Sequence, residues 1–169
     1  LVKEDYEVKN ILAWRETLGR YDKLHPLSYE DSEEILKPQW VIKKIGEILG
    51  KEAFISTDVG QHQMWAAQFY PFSFPRQFIT SGGLGTMGFG LPAAMGAKKA
   101  FPDKTSINIS GDGSILMNIQ ELMTCLASQI PVINVVLNNN YLGMVRQWQT
   151  FFYENRYSET DLQLQPDFV

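Results

Sequence analysis

One carboxylate, Asp112, stands between Gly111 and Gly113, directly after the strand-like stretch "TSINIS". Two amides, Asn138 and Asn139, follow 26 and 27 positions later, again at the end of an apolar run. A hard cation such as Mg²⁺ takes oxygen ligands and is often shared with phosphates, and an acid plus an amide carbonyl from neighbouring strand ends supply such ligands. Flanking glycines let the backbone approach a diphosphate with no Cβ in the way. A helix beginning near Ser114 would aim free N–H groups and its positive dipole end at the phosphates. Gly-Asp-Gly alone reads as a surface turn. The asparagines one βα unit later favour a metal–diphosphate site.

Regular elements must bring these groups together. "PQWVIKKIGEILG" carries apolar residues at Val41, Ile45, Ile48 and Leu49, with Pro38 suited to the first helical turn and Gly50 to the stop. "AFISTDV" (53–59), "QFIT" (77–80), "TSINIS" (105–110) and "PVINVVL" (131–137) read as strands, the last as one buried on both sheet faces. "LPAAMGAKKAF" reads as a helix of small residues, and "LGMVRQWQTFFY" as another. Ile115, Leu116, Ile119, Leu122, Met123 and Leu126 recur at three and four, which predicts one amphipathic helix. Strands and helices alternate with no hairpin signal, so the predicted fold is α/β, a doubly wound parallel sheet with helices on both faces.

Ligands of such sheets sit beyond the carboxyl ends of the strands. The segments Gly60-Gln61-His62, Gly82 to Gly90, Gly111 to Ser114 and Asn138 to Gly143 all fall there. Gly83-Leu84-Gly85-Thr86-Met87-Gly88 also matches GxGxxG, the fingerprint of a Rossmann-like nucleotide-binding module. That reading explains neither the second glycine beside Asp112 nor the asparagines.

Bulk properties exclude several classes. At 169 residues, 44% hydrophobic and 20% charged, the chain is an ordinary globular domain. A net charge of −4 argues against a nucleic-acid partner. No run of about 18 apolar residues spans a membrane, and the charged opening "LVKEDYEVKN" is no signal peptide. Cys125, the only cysteine, fits a reducing compartment and reads as a small buried hydrophobe within a helix. Residues 1–34, with Ile11, Leu12, Trp14 and Leu18 at helical spacing ahead of the connector "HPLSYEDSEE", read as the tail of a preceding domain.

Gly111-Asp112-Gly113, then 24 residues, then Asn138-Asn139 resembles the metal and cofactor signature of thiamine-diphosphate enzymes. With "VGQHQMWAAQFY", "SGGLGTMGFGLPAAMGAKKAFP" and "LNNNYLGMVRQWQ", residues 35–169 resemble the C-terminal cofactor domain of the acetohydroxyacid synthase (acetolactate synthase) large subunit. The segment "GMVRQWQ" favours this family over pyruvate oxidases and 2-ketoacid decarboxylases. The resemblance implies thiamine diphosphate held through Mg²⁺, with Asp112, Asn139 and the main-chain carbonyl of Tyr141 as metal ligands. It implies diphosphate contacts from Gln61, His62, Gly113 and Ser114, with Gly60, Gly111 and Gly143 in the same cofactor loops. Gly85 would offer its carbonyl to the 4′-amino group of the pyrimidine, and Met87 would wedge the cofactor into its bent form. Met144, Val145 and Trp148 would line the substrate channel, although Met144 and Trp148, four apart on one helix face, also suit plain core packing.

The implied reaction decarboxylates pyruvate and ligates the two-carbon unit to pyruvate or 2-ketobutyrate, in branched-chain amino acid biosynthesis. The activating glutamate would come from the N-terminal domain of a partner subunit, so no catalytic residue is expected in this chain, and the chain alone is expected to be inactive. Glu121 reads as a mid-helix solvated or capping group. The resemblance further implies FAD held mostly in another domain, homodimers or tetramers, a regulatory small subunit, and a cytoplasmic location, or a plastid or mitochondrion in a eukaryote. The ending "QPDFV" reads as a truncation of the domain.

Overall fold

The computed structural model describes residues 9–168. Residues 1–8, part of the charged opening read above, lie outside the described residues. The chain divides after Asp31 into two compact units. The first contains one helix, α1 (Lys9–Leu24), on which Leu12, Trp14 and Leu18 are all exposed.

The second unit runs α2 (Pro38–Leu49), β1 (Phe54–Thr57), α3 (Gln61–Phe69), β2 (Phe78–Thr80), α4 (Gly90–Ala100), β3 (Ser106–Gly111), α5 (Asp112–Ile115), α6 (Glu121–Ala127), β4 (Ile133–Leu137) and α7 (Gly143–Phe152). The strands form one parallel sheet in the order β2-β1-β3-β4, as the alternating pattern predicts. Pro38 opens α2, and Gly50 closes it at φ +65°, a conformation that suits glycine.

The two faces of β3 have different chemistry. Ile107 and Ile109 pack with Ile55, with Ile42 of α2 and with Ala66 of α3. Each of these buried isoleucines contributes about 1.5–3 kcal/mol by leaving water. Ser106, Asn108 and Ser110, also buried, point the other way. Ser106 Oγ donates to the Ala94 carbonyl of α4 at 2.8 Å, and Ser56 Oγ donates to the Gly90 carbonyl at 2.7 Å. Asn108 Nδ2 donates to Ser110 Oγ at 2.9 Å and to Asn134 Oδ1 at 3.0 Å, crossing from β3 to β4. Small and polar side chains let the first turn of α4 lie almost on the sheet. A Cβ on Gly90 would stand 2.3 Å from Asn108 Oδ1 and 2.6 Å from the Asp58 nitrogen. Beyond this contact, α4 returns to apolar packing through Leu91 and Met95, against Ile115.

Several expectations need correction. The single helix expected over residues 115–126 is two helices. Met117, Asn118, Glu121, Leu122 and Met123 bond to carbonyls three residues back, the spacing of tight turns rather than of α-helix. Asn118 is meanwhile tied to Gly88. Glu121 therefore opens α6 instead of sitting mid-helix, and no residue of α6 is buried. Strand β4 is an edge strand whose residues are only partly covered, with Ile133 exposed, so its apolar run does not report burial on both faces. On α2 the buried positions are Ile42 and Gly46, while Ile48 faces solvent. Cys125 is half-buried against the Leu91–Ile115 cluster, and burial followed by the charge of Glu121 pushes its thiol up, which suits packing rather than nucleophilicity.

The close approach at α4 is testable in the intact protein. Gly90→Ala should lower stability by about 1–3 kcal/mol or more, because two of its nearest neighbours are backbone atoms that cannot step aside. Gly96→Ala, on the same helix with nothing within 4 Å, should raise stability by about 0.5–1 kcal/mol. Urea midpoints that move alike for the two variants would show that α4 does not touch the sheet as described.

Candidate functional site

Because all strands run parallel, their carboxyl ends share one edge, and the segments after β1, β3 and β4 meet there around a cleft. Gly60, Gln61, His62, Met87, Gly111, Asp112, Gly113, Ser114, Asn139, Tyr141, Gly143, Met144 and Val145 all line it. The cleft lies at the switch point of the sheet, where β1 and β3 are neighbours and the chain runs outward from them to β2 on one side and β4 on the other, the usual ligand position in an open sheet. Val59, Trp65, Leu137 and Leu142 supply apolar wall that motif reading did not single out. Their signal is only adjacency to the polar motif residues.

Two predicted residues stand apart. Gly85 is exposed in the loop between β2 and α4 at φ +71° and does not line the cleft. Trp148 lines a neighbouring hollow with Gln149, Tyr153 and Arg156, joined to the cleft only through Val145. Trp148 is 54% exposed and its ring lies 5.0 Å from that of Phe152, so core packing does not account for it in this chain.

Asp112 is buried, at 2% exposure, and among the described residues it has no ion-pair partner. Its Oδ2 accepts one hydrogen bond, from Gln165 Nε2 at 2.8 Å. A carboxylate in that setting is costly unless a cation answers it. Asn139 Oδ1 accepts the Tyr141 N–H at 3.1 Å, and its second lone pair is left for another partner. Asn138 Oδ1 makes the parallel bond to the Asn140 N–H, also at 3.1 Å, with Asn140 at φ +61°. This pair of side-chain-to-backbone turns presents the Tyr141 main chain to the cleft. The Arg146 guanidinium lies 4.2 Å from the centre of the Tyr141 ring and 4.0 Å from that of Tyr157, which holds Tyr141 in place.

The glycines around Asp112 also make room for neighbouring side chains. A Cβ on Gly111 would meet His62 Nδ1 at 2.9 Å, and one on Gly113 would meet Leu142 and Leu162 side chains at 2.9 Å. Their smallness admits these side chains while both residues still line the cleft. The helix after them is a single turn of four residues, so little dipole can accumulate there. The Ser114 hydroxyl is already engaged, accepting the Gly111 N–H and donating to the Gly111 carbonyl, both at 3.2 Å.

The C-terminal stretch also builds the site. Leu142 N–H bonds to the Thr160 carbonyl, Leu162 N–H to the Asn140 carbonyl, and Tyr141 bridges Asp161 in antiparallel sense. This places Leu162 beside Gly113 and Gln165 on Asp112. Polar, aperiodic sequence gives no warning of such a role.

His62 is buried with Nε2 unpartnered, an orphaned polar atom at the cleft wall. Burial holds its imidazole down at about 4, against opposing pulls from the Asp58 main chain and the Asp112 charge.

A parallel sheet whose strand ends gather the buried Asp112, paired asparagines and an apolar wall around one cleft defines a ligand-binding α/β domain. Residues 58–169 match the family of thiamine pyrophosphate enzymes, C-terminal TPP binding domain, and the chain belongs to it. It is similar to the acetolactate synthase isozyme 3 large subunit of Escherichia coli (strain K12), 51% identical over 159 residues, covering 94% of this chain and 28% of that protein. It is 47% identical over 169 residues to the acetolactate synthase large subunit of Buchnera aphidicola subsp. Acyrthosiphon pisum, covering all of this chain and 30% of that one. Against the acetolactate synthase of Mycobacterium leprae it is 52% identical over 161 residues, covering 92% and 26% respectively. The chain thus spans between 26% and 30% of the length of these relatives.

The neutral His62 has a measurable consequence in the metal-free intact protein. Between pH 6.5 and about 4 the unfolded chain binds a proton at this position that the folded chain refuses, so stability falls as pH falls through that window. At pH 5 this loss should reach about 2 kcal/mol. Urea titrations of wild type and His62→Gln from pH 7 to pH 5 should show the smaller pH slope in the variant. Equal slopes would mean that the ring is charged or exposed.

Proposed function

We propose that this chain is the cofactor-binding part of an acetolactate synthase large subunit, with residues 35–169 as its thiamine-diphosphate domain and residues 1–34 as the tail of a preceding one. The observation that carries the reading is the buried Asp112, without an ion-pair partner among the described residues, lining one cleft at the sheet edge with Asn139 and Tyr141. Among the described residues no three His, Cys, Asp or Glu side chains gather into a metal cluster. The donor set is instead one carboxylate, one amide oxygen and one main-chain carbonyl, which suits Mg²⁺ when phosphate oxygens complete its shell.

Thiamine diphosphate, when bound, supplies the carbanion chemistry by which pyruvate loses carbon dioxide and its two-carbon unit joins pyruvate or 2-ketobutyrate. This chain's residues hold and orient. Asp112, Asn139 and the Tyr141 carbonyl keep the cation. Gly113, Ser114, Gln61 and His62 face the diphosphate. Met87 and the wall formed by Val59, Trp65 and Leu137 exclude water from the ring end. The uncharged His62 ring adds a polar atom without adding positive charge next to Asp112. Met144, Val145 and Trp148 face the incoming 2-ketoacid. FAD, with its site mostly outside this chain, a large-subunit dimer or tetramer, a regulatory small subunit and a cytoplasmic location belong to the same proposal. Among the described residues no helix is long and apolar enough to cross a membrane.

Asp112→Asn in the full-length protein should raise the Kd for thiamine diphosphate and Mg²⁺ severely, because the only anionic protein ligand is removed. Titration calorimetry checks it, and unchanged affinity would remove Asp112 from the metal site. Trp148→Leu should shift the product ratio when pyruvate and 2-ketobutyrate compete, while cofactor affinity stays close to wild type. Differences in pocket contacts of this kind are worth about 1–3 kcal/mol. An unaltered ratio would take Trp148 out of the acceptor pocket.

A further inference from the structure

Asp58 closes β1 as Asp112 closes β3, yet it ligates nothing in the proposed site. It is 1% exposed. Its Oδ1 accepts two main-chain N–H groups, that of Val59 at 3.0 Å and that of Gly88 at 2.7 Å. Its Oδ2 is buried with no hydrogen-bond partner. Burial pushes the carboxyl up, and the N–H groups of Gly88, Val59 and Gly90, with the Ser110 hydroxyl, pull it back down. An acid kept in such a place weakens the fold unless its short, charge-assisted bond fixes something that matters.

The shorter of its two N–H bonds, at 2.7 Å, holds one peptide against the end of β1. The Gly88 N–H belongs to the Met87–Gly88 peptide, and Met87 lines the cleft. The Gly88 carbonyl, on the other side of the same residue, accepts Asn118 Nδ2 at 2.7 Å. Asn118 lies in the turn just after α5, the helix that begins with Asp112. Its own Oδ1 accepts Gln120 Nε2 at 3.2 Å, which orients the amide. Gly88 is buried at φ +89°, and a Cβ there would stand 2.8 Å from Asn118 Nδ2 and 2.9 Å from Met117 Cβ. Both polar groups of Gly88 are thus held, one by the end of β1 and one by the turn that follows the metal loop.

We infer that Asp58 and Asn118 are positioning residues that clamp Gly88 from two sides, and so set the distance between the Met87 wall and the Gly111–Ser114 wall of the cleft. This rests on the proposed cofactor reading and adds to it how the ring end and the diphosphate end of the ligand are kept in register. The clamp touches only the ring end. A ligand consisting of diphosphate alone reaches the Asp112 side and does not need Met87.

That difference supplies the test. Binding of thiamine diphosphate and of inorganic diphosphate, each with Mg²⁺, is measured by calorimetry on the full-length protein. The proteins compared are wild type, Asp58→Ala, Asp58→Asn and Asn118→Asp. Asn118→Asp replaces the donor with an acceptor of equal size at a half-buried turn, and serves if Asp58→Ala does not fold. The expected result is at least a tenfold higher Kd for thiamine diphosphate in Asp58→Ala and Asn118→Asp. Inorganic diphosphate should change by less than twofold in both. Asp58→Asn, which keeps an acceptor for the Gly88 N–H, should stay within about threefold of wild type for both ligands. Equal losses for the two ligands, or no loss for either, overturn the clamp and leave Asp58 and Asn118 as ordinary loop staples. A wild-type protein that takes up inorganic diphosphate but not thiamine diphosphate overturns the cofactor reading itself, and the clamp with it.

Discussion

Where α4 meets the sheet, backbone lies nearly against backbone, and the site depends on that contact. Gly90 can come this close because β1 presents Ser56, whose hydroxyl donates to the Gly90 carbonyl, and β3 presents Asn108, whose amide nitrogen donates to Asn134. The approach fixes the start of α4. The start of α4 in turn fixes where the segment between β2 and α4 must end, and this segment carries Met87 to the cleft. An apolar pair at Ser56 and Asn108 would push α4 outward by the thickness of a side chain. The loop ahead of α4 would then have to span a wider gap, and Met87 would leave the wall it shares with Val59 and Trp65.

Much of this was legible in the residues themselves. Alternation and punctuation predict every strand to within a residue or two, because β-branched runs bounded by Pro, Gly and Asp have few other uses. The Gly-Asp-Gly and asparagine motifs point to a single edge of the sheet for a reason of topology: in a parallel sheet all carboxyl ends coincide. The expected helix over 115–126 fails because its three-and-four pattern ignores Asn118. That side chain spends its donor on Gly88, and the turn around it breaks the ladder. The apolar run of β4 misleads in a similar way. Hydrophobicity reports what a strand is able to bury, and an edge position in this chain leaves part of it uncovered.

Other parts were out of reach from sequence. That Gly111 makes room for His62, and Gly113 for Leu142 and Leu162, follows from contacts between segments far apart in the chain. So does the placing of Gln165 against Asp112. Asp58 is an intermediate case. It ends a buried strand and is followed by Val59-Gly60, much as Asp112 is followed by Gly113, and that parallel was visible. Its task was not, because the peptide it holds lies 30 positions away.

The alternation Ser106-Ile107-Asn108-Ile109-Ser110 also bears on how the chain finds its fold. A slip of β3 by one residue against β1 and β4 would turn both isoleucines toward the α4 backbone and drive Asn108 into the apolar layer beneath α2 and α3. The first error is steric, since no branched side chain fits below Gly90. The second is electrostatic, since an amide there would meet no partner. Each misregistered pairing is therefore penalised twice, by unrelated forces. A parallel strand assembled from distant segments is slow to form and prone to wrong pairings. In β3 the side chains themselves act as a proofreading device for strand register.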